Sequence, residues 1–220
     1  MPQPEPVTAL TDYVLALQCA LFGFLLLRAA RRPPQRARRL WGFSFLATAL
    51  AAAGGGSYHL LTTSRASAAG QALWIATILA IGLGAALLLC GSIVAAAPPR
   101  WRTALLGAVG LKYALYAVWI VADPEYRFVI LDYAIAMIAV LALQPLAPSA
   151  ASAWIGSGIL LSFAAGAVQV SGFSLHRHFN THDLYHVMQM AAMVLLFIAG
   201  RRLEDRRPPE SRAAPAAPSA

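Results

Sequence analysis

An all-α bundle of seven membrane-spanning helices is the fold class this sequence predicts, and three observations carry it. The chain of 220 residues is 59% hydrophobic and 12% charged, with a mean hydropathy of +0.63, well outside the balance of a water-soluble domain. Seven apolar runs of roughly twenty residues, enough to cross the hydrocarbon, follow one another along the chain. The cations gather in every second connection between those runs.

The first run, roughly 8–28, follows MPQPEPVTALTDY, which lacks the basic opening of a secretory signal and so reads as a retained span. The second, roughly 40–62, ends in AGGGSYHLL, where small residues let neighbouring helices approach closely. The third (69–95) is the most continuous. The fourth (104–122) carries Lys112, the sole lysine, and the fifth (127–148) carries Asp132. The sixth (152–171) is rich in small residues, and the seventh (182–200) opens with HDLYHVMQM. Residues 1–200 therefore form one transmembrane domain. Residues 201–220, basic and then Ala/Pro-rich, read as a disordered cytoplasmic tail.

Thirteen of the seventeen Lys and Arg lie on one side of this alternation: Arg28, Arg31, Arg32, Arg36, Arg38 and Arg39 after the first run, Arg100 and Arg102 after the third, and Arg201, Arg202, Arg206, Arg207 and Arg212 after the seventh. The positive-inside rule then places the N-terminus outside and the C-terminus in the cytoplasm, in a plasma membrane of bacterial type. The net charge of +8 is thus a topology signal, and it excludes nucleic acid as a partner. Trp41, Trp101, Trp154, Trp74 and Trp119 fall near span ends, as an interfacial belt requires. Cys19 and Cys90 sit inside apolar runs as small packing residues.

Polar chemistry collects at the outer end. His59 closes the second span, and His182 and His186 stand one turn apart at the start of the seventh. At ~1.5 Å rise per residue the three imidazoles reach nearly the same depth, a set that suits zinc with an open fourth position. A helix-capping role is the alternative for the His pair. Ionisable groups in spans tend to mark function. Among the outer acids, Asp132 is too deep for capping and is the preferred proton-transfer candidate, with Asp12 next. Asn180-Thr181-His182-Asp183 reads as a helix N-terminal cap. His178, one turn upstream, is a substitute ligand. A Schiff-base role for Lys112 ranks behind an ion pair with Asp132.

Seven spans, a Ser and His near the end of span two and an H-x-x-x-H pair in span seven resemble the superfamily of seven-helix membrane hydrolases that holds the alkaline ceramidases and the adiponectin and progestin receptors. The resemblance implies zinc on His59, His182 and His186, a water that attacks a lipid amide or ester, and membrane lipids as substrate and partners. Ser57 stands in the neighbourhood of that family's serine, which usually lies four residues before the histidine, where this chain has Gly55. The family's aspartate early in span three is also absent from AGQALWIAT, so Asp12 or Asp132 would supply the acid, with Ser57 and Gln71 as hydrogen-bond donors. A non-enzymatic, receptor-like protein with a structural metal is the second reading. A proton-relay transporter is the third.

Overall fold

The computed structural model describes residues 5–60, 67–176 and 179–206. Seven helices follow in order: α1 (Pro6–Ala29), α2 (Arg36–Leu60), α3 (Ala68–Ala96), α4 (Pro99–Ala122), α5 (Tyr126–Leu143), α6 (Ser152–Ser171) and α7 (Thr181–Arg202), with a single 3-10 turn at Gln144–Leu146 after α5. Prolines open α1 and α4, where a missing amide hydrogen costs nothing. The described residues contain no strand, and six of the seven helices are long and apolar enough to cross a membrane. The protein is an integral membrane protein of the all-α class.

The exception among the expected spans is α2. Its first turn holds Arg36, Arg38 and Arg39, and its length is filled by Ala, Gly and Ser rather than leucine. It lies between α1 and α3, its most extensive neighbours, so packing replaces the hydrophobicity that a lipid-facing helix needs. Close approach makes this possible: a Cβ on Gly23 of α1 would stand 2.9 Å from the carbonyl oxygen of Gly42 in α2. The main core runs through Cys19, Leu26, Trp41, Phe45, Leu89 and Leu196.

Trp41 departs from the expected interfacial belt. It is fully buried, and its indole N–H donates to Leu88 O at 3.0 Å. Burying an indole requires such an acceptor, and α3 supplies it. Trp101 and Trp119, by contrast, are exposed.

Helices α1, α2, α3, α5, α6 and α7 surround a cavity. Helix α4 stands outside against α3, and ties to α5 through Lys112 Nζ and Asp132 Oδ1, 2.5 Å apart. At one end of the bundle lie the first turns of α1 and α7 and the last turn of α2, here termed the histidine end; the opposite, arginine end holds the basic loops.

Candidate functional site

Helix α1 presents a polar face at the histidine end. Glu5, Thr8 and Asp12 follow at intervals of three and four residues, with Thr11 beside them, so they stack along one stripe facing α2 and α7. Asn180 caps α7: its side-chain oxygen accepts from His182 N at 2.8 Å and Asp183 N at 3.1 Å, while Asp183 Oδ2 accepts from Asn180 N at 2.8 Å. The cap forms as its sequence predicts. Thr8 then donates to Asp183 Oδ1 at 2.8 Å and accepts from Asn180 Nδ2 at 3.2 Å, which pins the start of α7 to α1.

That anchoring places His186 against Asp12. Its Nε2 lies 3.2 Å from Asp12 Oδ1, and its Nδ1 lies 2.9 Å from Thr11 Oγ1. Thr11 Oγ1 also donates to Thr8 O at 2.9 Å, which leaves its oxygen free to accept from Nδ1. With the hydrogen on Nδ1, Nε2 meets the carboxylate as an acceptor, and a proton or a cation between them makes that contact favourable. The second oxygen, Asp12 Oδ2, is buried and has no partner.

Gly55 makes room for this carboxylate. A Cβ there would lie 3.3 Å from Asp12 Oδ2, a tight contact to which the carboxylate would have to give by a few tenths of an ångström. His59, half-buried, turns Nδ1 to Glu5 Oε2 at 3.3 Å, and its ring centroid lies 6.0 Å from that of His182. Asp12, His59, His182 and His186 all line the same cavity. Among the described residues, however, no three His, Cys, Asp or Glu side chains form a group that could hold a metal ion.

The cavity measures about 690 Å³, within the range of small-molecule sites. It descends from the histidines to Met193 of α7, about 16 Å at the helical rise per residue. Its floor is apolar, with Leu15, Phe45, Leu88 and Met137. One wall is polar: Gln189 donates to Ser162 at 3.2 Å, and Tyr126, Tyr133 and Tyr185 stand nearby. Ile130 of α5 and Val170 of α6 line the cavity yet are 42% and 72% exposed on the bundle's outside. These two helices touch sparsely, and the cavity wall between them includes exposed side chains.

Other candidates lie elsewhere. Asp132 pairs with Lys112 and is not among the cavity-lining residues. Ser57 donates to Ala53 O at 2.8 Å, lies 3.0 Å from Tyr13 Oη, and also faces away from the cavity. Gln71 is exposed at the start of α3, and His178 falls outside the described residues. Glu5 is one of the outer acids that the sequence offers as a partner for the second nitrogen of a histidine, and it takes that place on His59; Thr8 and Thr11 carry no such signal beyond the three-four spacing of polar residues in an otherwise apolar first helix.

The family of unknown function DUF6962 matches residues 7–205, and the chain belongs to it. No curated protein and no solved structure matches the chain.

Proposed function

We propose that this member of DUF6962 is a zinc-dependent membrane hydrolase that cleaves a lipid amide or ester, with its N-terminus outside and its arginine end in the cytoplasm of a bacterial-type plasma membrane. The observation that carries the reading is the facing of His186 Nε2 and Asp12 Oδ1 across 3.2 Å, with Asp12 Oδ2 left over. Asp12 Oδ1 stands close enough to His186 Nε2 to reach a water on an ion held there, and His59 and His182 line the same cavity.

His59, His182 and His186 would hold the ion, a donor set whose imidazole chemistry suits zinc. Zinc bound there supplies a Lewis acid and a water acidified toward ~7. Asp12, through its partnerless oxygen, accepts the proton given up by the attacking water and returns it to the leaving group. The apolar floor holds the acyl chain, and the gap beside Ile130 and Val170 admits it from the surrounding hydrocarbon. In the seven-helix hydrolases that this chain resembles, a serine side chain occupies the position of Gly55. Here the same space is taken by the Asp12 carboxylate, which supports an exchange of one polar group for another.

The second reading, a structural metal with four protein ligands, draws less support. Asp183, its nearest candidate for a fourth ligand, already spends both oxygens on the α7 cap and Thr8. Purified protein is expected to contain about one zinc per chain by elemental analysis, and His182→Ala and His186→Ala are expected to lose it. Full-length protein that folds, carries no zinc and gains none on dialysis against the ion would overturn the reading.

A further inference from the structure

The imidazoles at this site have two nitrogens each, and α1 takes the same one from two of them. Glu5 Oε2 lies 3.3 Å from Nδ1 of His59, and Thr11 Oγ1 lies 2.9 Å from Nδ1 of His186. The two acceptors stand six residues apart at the start of one helix, and the histidines they reach belong to different helices, α2 and α7. Glu5 is tied further to α2 by its backbone, with Glu5 N donating to His59 O at 3.5 Å. Thr11 is held in its accepting role because its own hydrogen goes to Thr8 O.

We infer that the start of α1 sets tautomers: Glu5, just before the helix, and Thr11 within it act as positioning residues that place the hydrogen of His59 and His186 on Nδ1, leaving each Nε2 as the acceptor nitrogen, that of His186 facing Asp12 Oδ1. The inference rests on the preceding reading for its purpose, since a lone pair is what a cation takes, but its physical content is independent of any ion. A neutral imidazole donates from one nitrogen and accepts at the other, and the partner of the first decides which is which. Partners of this kind fix ring orientation and raise ligand basicity. The arrangement also explains why polar residues recur at turn spacing in the first apolar helix. Thr8 serves the α7 cap, Thr11 serves His186, and Glu5 serves His59.

Histidine 15N chemical shifts, recorded on metal-free, full-length protein in detergent micelles, read the tautomer directly. His59 and His186 are expected as the Nδ1–H form. Thr11→Val, which keeps the shape and removes the acceptor, should release His186 to a mixture of tautomers and weaken zinc binding about 10- to 100-fold. Thr11→Ser should restore both. Glu5→Gln, whose amide oxygen still accepts, should keep the His59 tautomer, whereas Glu5→Leu should lose it. His186 found as the Nε2–H form in the unaltered protein, or unchanged by Thr11→Val, overturns the inference. A protein that binds no zinc but shows both Nδ1–H tautomers sinks the hydrolase reading and leaves this one standing.

Discussion

At the arginine end, Asp205 gives its carboxylate oxygens to two backbone amides at the start of α2, Arg36 N at 2.9 Å and Ala37 N at 2.7 Å. Arg38 donates to Gly200 O, Ala29 O and Leu203 O, and Arg206 reaches Ala96 O and Leu146 O. At the histidine end, Asp12 turns one oxygen to His186 Nε2 at 3.2 Å and keeps the other without a partner. Both ends gather charge among helix termini. Only one of them supplies what the charge needs. Satisfied polar groups, as around Asp205, hold elements together; unsatisfied ones cost stability and persist where a ligand or a proton completes them. The arginine end is not wholly closed, since Arg102 Nε is also without a partner, but its Nη2 donates to Val94 O and Arg206 O.

This contrast breaks most visibly at Asp12. Asp12→Asn removes the proton acceptor while keeping its shape, so hydrolysis of a lipid amide should fall by about 10²- to 10⁴-fold, with thermal unfolding in detergent shifted upward or unchanged. A variant of full activity would mean that the partnerless oxygen does no chemistry. A third carboxylate sharpens the point. Asp132 is 7% exposed and keeps a lysine beside it, so Lys112→Met should destabilise by about 3–5 kcal/mol by stranding the charge, and Lys112→Met with Asp132→Leu should recover most of that. Because the pair lies off the cavity, zinc content should not move in either variant. The smallest effect is expected at the arginine end: Asp205→Ala uncaps α2 at a cost of about 0.5–2 kcal/mol, read as a lowered melting temperature with zinc and activity retained. Loss of zinc there would show that the two ends are coupled and not separate as drawn.

Much of the site was legible before any coordinates. His59, His182 and His186 meet at one cavity because helix length fixes depth, and depth can be counted residue by residue. The Asn180 cap was readable because capping is local, decided within four residues. The pairing of Lys112 with Asp132 followed from two lone charges in adjacent apolar helices. What escaped was azimuth, the direction a side chain takes around its helix. Depth alone favours Asp132 over Asp12, yet Asp132 faces α4 and Asp12 faces His186. Trp41 was read as interfacial from its place near a span end, but its side of α2 meets α3 and is buried.

The sequence by itself determined that this chain is a bundle of long helices, mostly apolar, roughly where each lies, and that imidazoles and carboxylates share one end of it. Hydrophobic run length, prolines, caps and charge distribution are properties of contiguous residues, and contiguity is what a sequence records. Only the tertiary structure decided that α1 supplies the partners of both Nδ1 atoms, that Gly55 yields its space to Asp12, and that α4 stands outside the cavity. Those facts depend on how helices rotate against one another. Rotation is set by small-residue packing summed over whole faces, so no short stretch of chain encodes it.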